Sequence, residues 1–140
     1  VVSVDTPTLI IPVTKPQHVL AASLNAERWA DWFGDVYISE LFLFAPGSIT
    51  DSSEFHGRLL NPDLPRDVFP PIGNVMPEFI AYLGQQDTAA GTHTLSIDRG
   101  SPDTRKSILH AEFDKKPGKE VKCRIGGNVI KMGVGELLYS

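Results

Sequence analysis

Cysteine is almost missing from this sequence. Cys123 is the only one in 140 residues, so no internal disulfide can form and no CxxC redox or metal site exists. Basic excess is missing too. The net charge is −4, whereas a phosphate-backbone binder carries a basic face, so nucleic acid is not an expected partner. No apolar run approaches the roughly 20 residues of a membrane span. Neither a signal peptide nor an Asn-x-Ser/Thr sequon stands in the sequence, and the expected setting is cytoplasmic, with no membrane partner. His18, His93 and His110 show no HxxxH-type spacing, and there is no Walker loop or GxGxxG. Neither a metal nor another cofactor is therefore expected. The chain begins with Val1, which fits a processed chain or a piece of a longer protein.

What the sequence does hold is a 41% hydrophobic and 21% charged composition, that of one ordinary soluble domain with a real core. The segment Asp67 to Gly84, DVFPPIGNVMPEFIAYLG, reads as a Pro- and Gly-rich loop feeding a helix. From Val75 to Leu83 that helix carries a single charge, Glu78. A surface helix keeps one wet face, so a helix apolar all round belongs in an interior.

Around it the chain reads mainly as strands. Thr8 to Val13 is a buried strand that Pro12 marks as an edge or an end. Asn25 caps a helix over Ala26 to Phe33, stopped by Gly34. Trp29, Trp32 and Phe33 recur at helical spacing, and packing on a sheet is a commoner use for them than ligand stacking. Further strands are expected at Tyr37 to Phe44, Glu54 to Leu60, Thr92 to Asp98, Lys106 to Phe113, Glu120 to Ile125, Asn128 to Met132 and Glu136 to Tyr139. Ile108, His110 and Glu112 alternate with Leu109, Ala111 and Phe113, the period of a half-buried strand. Lys115 to Lys119 and Gly126-Gly127 fit hairpin connections. Cys123 lies in the alternating run Glu120 to Gly126, which offers no local base to activate a thiol. Seven or eight strands, one amphipathic helix and one wholly apolar helix imply an α+β fold. In it a strongly curved mixed sheet wraps a central buried helix, with one helix outside.

Several segments resemble, in order, the C-terminal lobe of PhzF-type phenazine-biosynthesis proteins, relatives of diaminopimelate epimerase. Arg58-Leu-Leu-Asn-Pro62 resembles the family's Arg-x-Phe-x-Pro, and Phe69-Pro-Pro-Ile-Gly-Asn74 its Asp-Pro-x-Thr-Gly-Ser before a buried helix. Arg99 to Ser107 resembles Gln-Gly-x-x-x-Gly-Arg-x-Ser, and Val121 to Gly127 with Gly135-Glu-Leu137 the closing strands. The resemblance spans nearly the whole chain and implies a single barrel-like lobe over residues 1–140. It also implies isomerase chemistry in a cleft between two such lobes, so a homodimer or a fragment of a two-lobe isomerase is expected.

The loop carries the candidate site. Gly73, Asn74, Val75 and Met76 stand where unpaired N–H groups at a helix start suit a carboxylate or phosphate, with Asn74 as cap. The same residues equally fit a plain structural cap. Where the resemblance puts an acid, this chain has Phe69, and Ile72 and Asn74 replace hydroxylated residues. Phenylalanine moves no proton. The expected ligand is therefore small and mostly apolar, bound or rearranged without the family's acid/base pair. His56 and Arg58 share a strand face and join the candidate binding set. Arg58 suits a ligand carboxylate or, more commonly, an internal ion pair with Asp63 or Asp67. A non-catalytic binding or interaction module is the alternative.

Overall fold

A computed structural model describes residues 7–86 and 88–139. The strands are β1 (Thr8–Pro12), β2 (Glu40–Pro46), β3 (Phe55–Leu60), β4 (Gly91–Arg99), β5 (Ser107–Lys115) and β6 (Lys122–Gly127). The helices are α1 (Pro16–Ala21), α2 (Ala26–Phe33) and α3 (Met76–Gln85), the last preceded by a 3-10 turn over Gly73–Val75. All six strands form one mixed sheet in sequence order. The β1/β2 and β3/β4 pairs are parallel and the rest antiparallel.

Parallel neighbours need a long crossover, which is where the helices sit. The β1–β2 crossover carries α1 and α2, and the β3–β4 crossover carries α3. Because side chains alternate along a strand, one sheet face serves each crossover. Phe42, Phe44, Leu59, Leu95, Ile97, Ala111 and Phe113 turn inward onto Phe79 and Ile80 of α3. Leu43, Ala45 and Leu60 turn outward onto Val19 of α1. Leu109, Ala111 and Phe113 indeed share the core face opposite His110 and Glu112.

Helix α3 touches both β1 and β6, the two outermost strands, so the sheet bends around it. The edges do not pair with each other: the sheet is open rather than a closed barrel. At the centre Phe79 meets Phe42, Phe44 and Phe55 edge-on, with ring centroids 5.4, 4.8 and 5.7 Å apart. Gly57 is what lets the rings approach. A Cβ there would stand 2.6 Å from the Phe42 ring and 2.9 Å from Ile97.

Helix α2 starts and stops where expected, with Asn25 Oδ1 accepting the Arg28 N–H at 3.1 Å. Its aromatic face does not pack on the sheet as expected. No α2 residue is buried, and Trp32 is 70% exposed. The short helix α1, unforeseen in the sequence, takes the outer position instead. Pro16 opens it with φ preset, and Val19 fills the space over β2 and β3.

The carboxy-terminal readings also change. Gly126-Gly127 is not a turn but the end of β6, paired with Leu109 and His110 of β5. Residues 128–139 form neither of the two expected strands and are exposed throughout. The glycines at 133 and 135 weaken strand preference there, and no neighbouring strand among the described residues pairs with the segment. By contrast Lys115 to Lys119 is the expected hairpin, closed by Lys119 N–H to Lys116 O at 3.2 Å with Gly118 at φ +68°.

Replacing Phe79 with alanine should destabilise the fold by about 3–5 kcal/mol, since the ring is fully buried among three others. Urea unfolding followed by circular dichroism measures this. A loss below about 1 kcal/mol would contradict the central place given to α3.

Candidate functional site

Loop and helix tip divide sharply by burial. Ile72, Val75 and Met76 are buried in the core beside Phe79 and present no side chain to solvent. Gly73 is half-buried with no heavy atom within 4 Å of a would-be Cβ, and Asn74 is exposed. The expected capping role of Asn74 is not found. Neither the 3-10 turn nor α3 has a side-chain cap, because the chain enters α3 through the 3-10 turn and leaves Asn74 inside that turn. Met76 N–H bonds Gly73 O instead.

Phe69 is half-buried and held from two sides. The Arg58 guanidinium lies 4.2 Å over its ring, and Arg99 Nη1 donates to its carbonyl at 2.9 Å. Arg58 makes no ion pair with Asp63 or Asp67, both of which are exposed. Its Nη1 donates to Leu20 O and Ala22 O, each at 2.9 Å, and Nη2 donates to Arg66 O. A helix leaves its last carbonyls unpaired, and Arg58 supplies the missing donors to α1 while gripping the 61–72 loop. Burial pushes the Arg58 guanidinium below its ordinary value. Arg58 and Phe69 are thus brought together, and both brace the loop.

His56 goes elsewhere. Its Nδ1 sits 2.5 Å from Asp98 Oδ1, with both residues buried. Ser48 Oγ donates to Asp98 Oδ2 at 2.6 Å. Burial pushes the Asp98 carboxyl up, but hydrogen bonds from His56 and Ser48 outweigh it and the net shift is downward. An ionised Asp98 accepts the hydrogen bond from His56 Nδ1–H, leaving Nε2 as the ring nitrogen that this pair does not engage. That atom is buried without a hydrogen-bond partner among the described residues. The sequence hid Asp98 and Ser48, which lie 42 and 8 positions from His56: strand register brings Asp98 beside His56, and the loop after β2 brings Ser48 onto Asp98.

Two glutamates were given no role by the sequence reading. Glu78, in the first turn of α3, is buried with Oε2 unpartnered among the described residues. Its lone charge in an apolar helix was the available signal. Glu40 accepts from Thr8 Oγ1 at 3.4 Å. Burial, partly offset by Thr8 and reinforced by the Glu78 charge, raises the Glu40 carboxyl above 4.5.

Comparison with solved structures identifies the architecture. A crystal structure of the Bacillus anthracis phenazine biosynthesis protein, PhzF family, superposes with a TM-score of 0.63 at 14% identity, over 84% of this chain and 41% of that one. The fold is PhzF-like. This chain therefore spans about two-fifths of the PhzF protein it matches. No family model and no curated protein matches the sequence. Within the PhzF-like fold the 61–74 loop leads into the buried helix, and the candidate residues His56, Arg58 and Phe69 lie on the sheet's outer side or in that loop.

Two outcomes follow from the buried polar groups. Arg58→Lys should destabilise the fold by about 2–3 kcal/mol, because lysine cannot bridge the α1 carbonyls, Arg66 O and the Phe69 ring together. A denaturant midpoint unchanged from wild type would refute the bracing role. Glu40→Gln should stabilise the protein at neutral pH. A carboxyl whose folded value is raised costs stability as pH climbs through that value, so the gain should vanish below pH 4.5. Melting temperatures across pH 3 to 8 read both the sign and the window; a gain that persists at acid pH would contradict it.

Proposed function

We propose that this chain is one PhzF-like lobe that binds or rearranges a small, mostly apolar metabolite at the mouth where the Phe69–Asn74 loop meets α3. The cleft is completed by a second lobe, supplied by another copy of the chain or by more of a longer protein. The observation that carries this reading is the loop's state: braced by Arg58 and Arg99 yet reaching the surface at exposed Asn74, with open space at Gly73. A rigid loop with one permissive residue holds a ligand at low ordering cost. Half a cleft on one lobe is also what a chain covering 41% of its PhzF counterpart presents. The side chains of this loop that are not buried, Phe69 and Asn74 among them, carry no titratable group, so any rearrangement at this mouth proceeds through positioning and shape.

A second reading, a non-catalytic binding module, has its own support. Between α2 and the sheet lies an apolar groove of about 360 Å³, walled by Trp29, Trp32, Phe33, Leu41, Leu43 and Leu60. Its volume and lining suit a small apolar molecule.

A thermal-shift screen with small aromatic and alicyclic carboxylic acids separates the two. For the mouth, Phe69→Asp removes ligand stabilisation at least about tenfold while the fold persists, since the new carboxylate lies beside Arg58. Trp32→Ala leaves it unchanged, and sedimentation shows a dimer of a stand-alone chain. Loss on Trp32→Ala alone, with quenched tryptophan fluorescence, favours the groove instead.

A further inference from the structure

The His56–Asp98 pair opens on a cavity of about 210 Å³ between the loop after β2 and the loop after β4. Its wall includes Thr50, Arg99, Ser101, Thr104 and Lys106 along with the pair itself. A buried imidazole nitrogen left unpaired has lost its hydration without compensation, so one held in a fixed cavity wall marks a place for an outside partner. Here Nδ1 is committed to Asp98 and Nε2 is the atom without a partner.

Everything else on that wall favours a partner that accepts hydrogen bonds and carries negative charge. Lys106 brings a cation and Thr50 and Ser101 bring hydroxyls, while Arg99 and Thr104 also border the cavity with Arg99 Nη1 committed to Phe69 O and Thr104 Oγ1 to Ser101 O. The only carboxylate is Asp98, and its oxygens already accept from His56 and Ser48. The loop is also pinned: Gly100 adopts φ +95°, a Cβ there would collide with Thr104 Oγ1, and Thr104 Oγ1 donates to Ser101 O at 2.9 Å. A donor-rich pocket with preset geometry binds oxyanions well.

We propose that this cavity binds a small oxyanion, the carboxylate or phosphate group of a ligand, with His56 taking up a solvent proton at Nε2 on binding so that this nitrogen becomes the buried donor, and with Lys106 as the neighbouring charge. The proposal does not rest on the Phe69–Asn74 mouth, although Arg99 borders the cavity and also holds the Phe69 carbonyl. Asp98 acts as a positioning residue, fixing the ring so that Nε2 faces away from the carboxylate.

Histidine-selective ¹⁵N labelling of the full chain tests this by NMR. Sodium phosphate and sodium acetate are titrated separately at constant pH, against sodium chloride of matched ionic strength. A saturable change at His56 Nε2 toward the protonated position is expected with at least one of them. Phosphate alone, or acetate alone, then names the group. Lys106 is exposed, so Lys106→Ala leaves the fold intact and should weaken that binding roughly tenfold. Phe69→Asp should leave it unchanged, which separates this site from the mouth. No saturable response to either anion beyond the chloride control overturns the proposal, as does equal affinity in Lys106→Ala.

Discussion

Enclosure of α3 by the sheet is the constraint from which the rest of this molecule follows. A ten-residue helix with Met76, Phe79, Ile80 and Gly84 all buried must be covered on several sides at once. A flat sheet covers one. Bending the sheet until both β1 and β6 reach the helix solves the problem without closing the edges. Aromatic rings from β2 and β3 then fill the interior, and Gly57 removes the one side chain that would hold them apart. Hydrophobic burial of this kind is non-directional, but edge-on ring packing is not, and it fixes the register of the inner face.

The outer face is built on a different principle. Two polar side chains of β3, His56 and Arg58, are buried there, and each is engaged by fixed partners instead of by solvent. Arg58 completes the carbonyl end of α1 and steadies the loop that delivers the chain to α3. Inner and outer faces are thereby coupled: the loop that positions the helix tip is held by an arginine belonging to the opposite side of the sheet. His56 is tied to Asp98 across the β3/β4 pair, whose parallel pairing exists only because α3 forms the crossover. The same helix therefore shapes both the loop before it and the setting of the His56–Asp98 pair.

The resemblance to a PhzF lobe rests on architecture, and at 14% identity it speaks to fold and not to chemistry. Under the Arg58 guanidinium an aromatic ring packs well and braces the loop. Other buried polar groups among the described residues lie away from that ring, in His56–Asp98 and in Glu78.

The apolar helix and the alternation along β5 were readable directly, because hydrophobic period is a local property of sequence. So were the Asn25 cap and the Lys115–Lys119 hairpin, where a few adjacent residues set the backbone angles. The six strands' order, the open edge and the loss of regular structure after Gly127 depended on partners distant in sequence. The site shows the same limit. Sequence marked His56, Arg58 and the Phe69–Met76 loop, but the partners of His56 and Arg58 were settled by strand register and by an unforeseen helix. Local chemistry specifies which groups must be satisfied, and only the folded chain decides which group, many residues away, satisfies them.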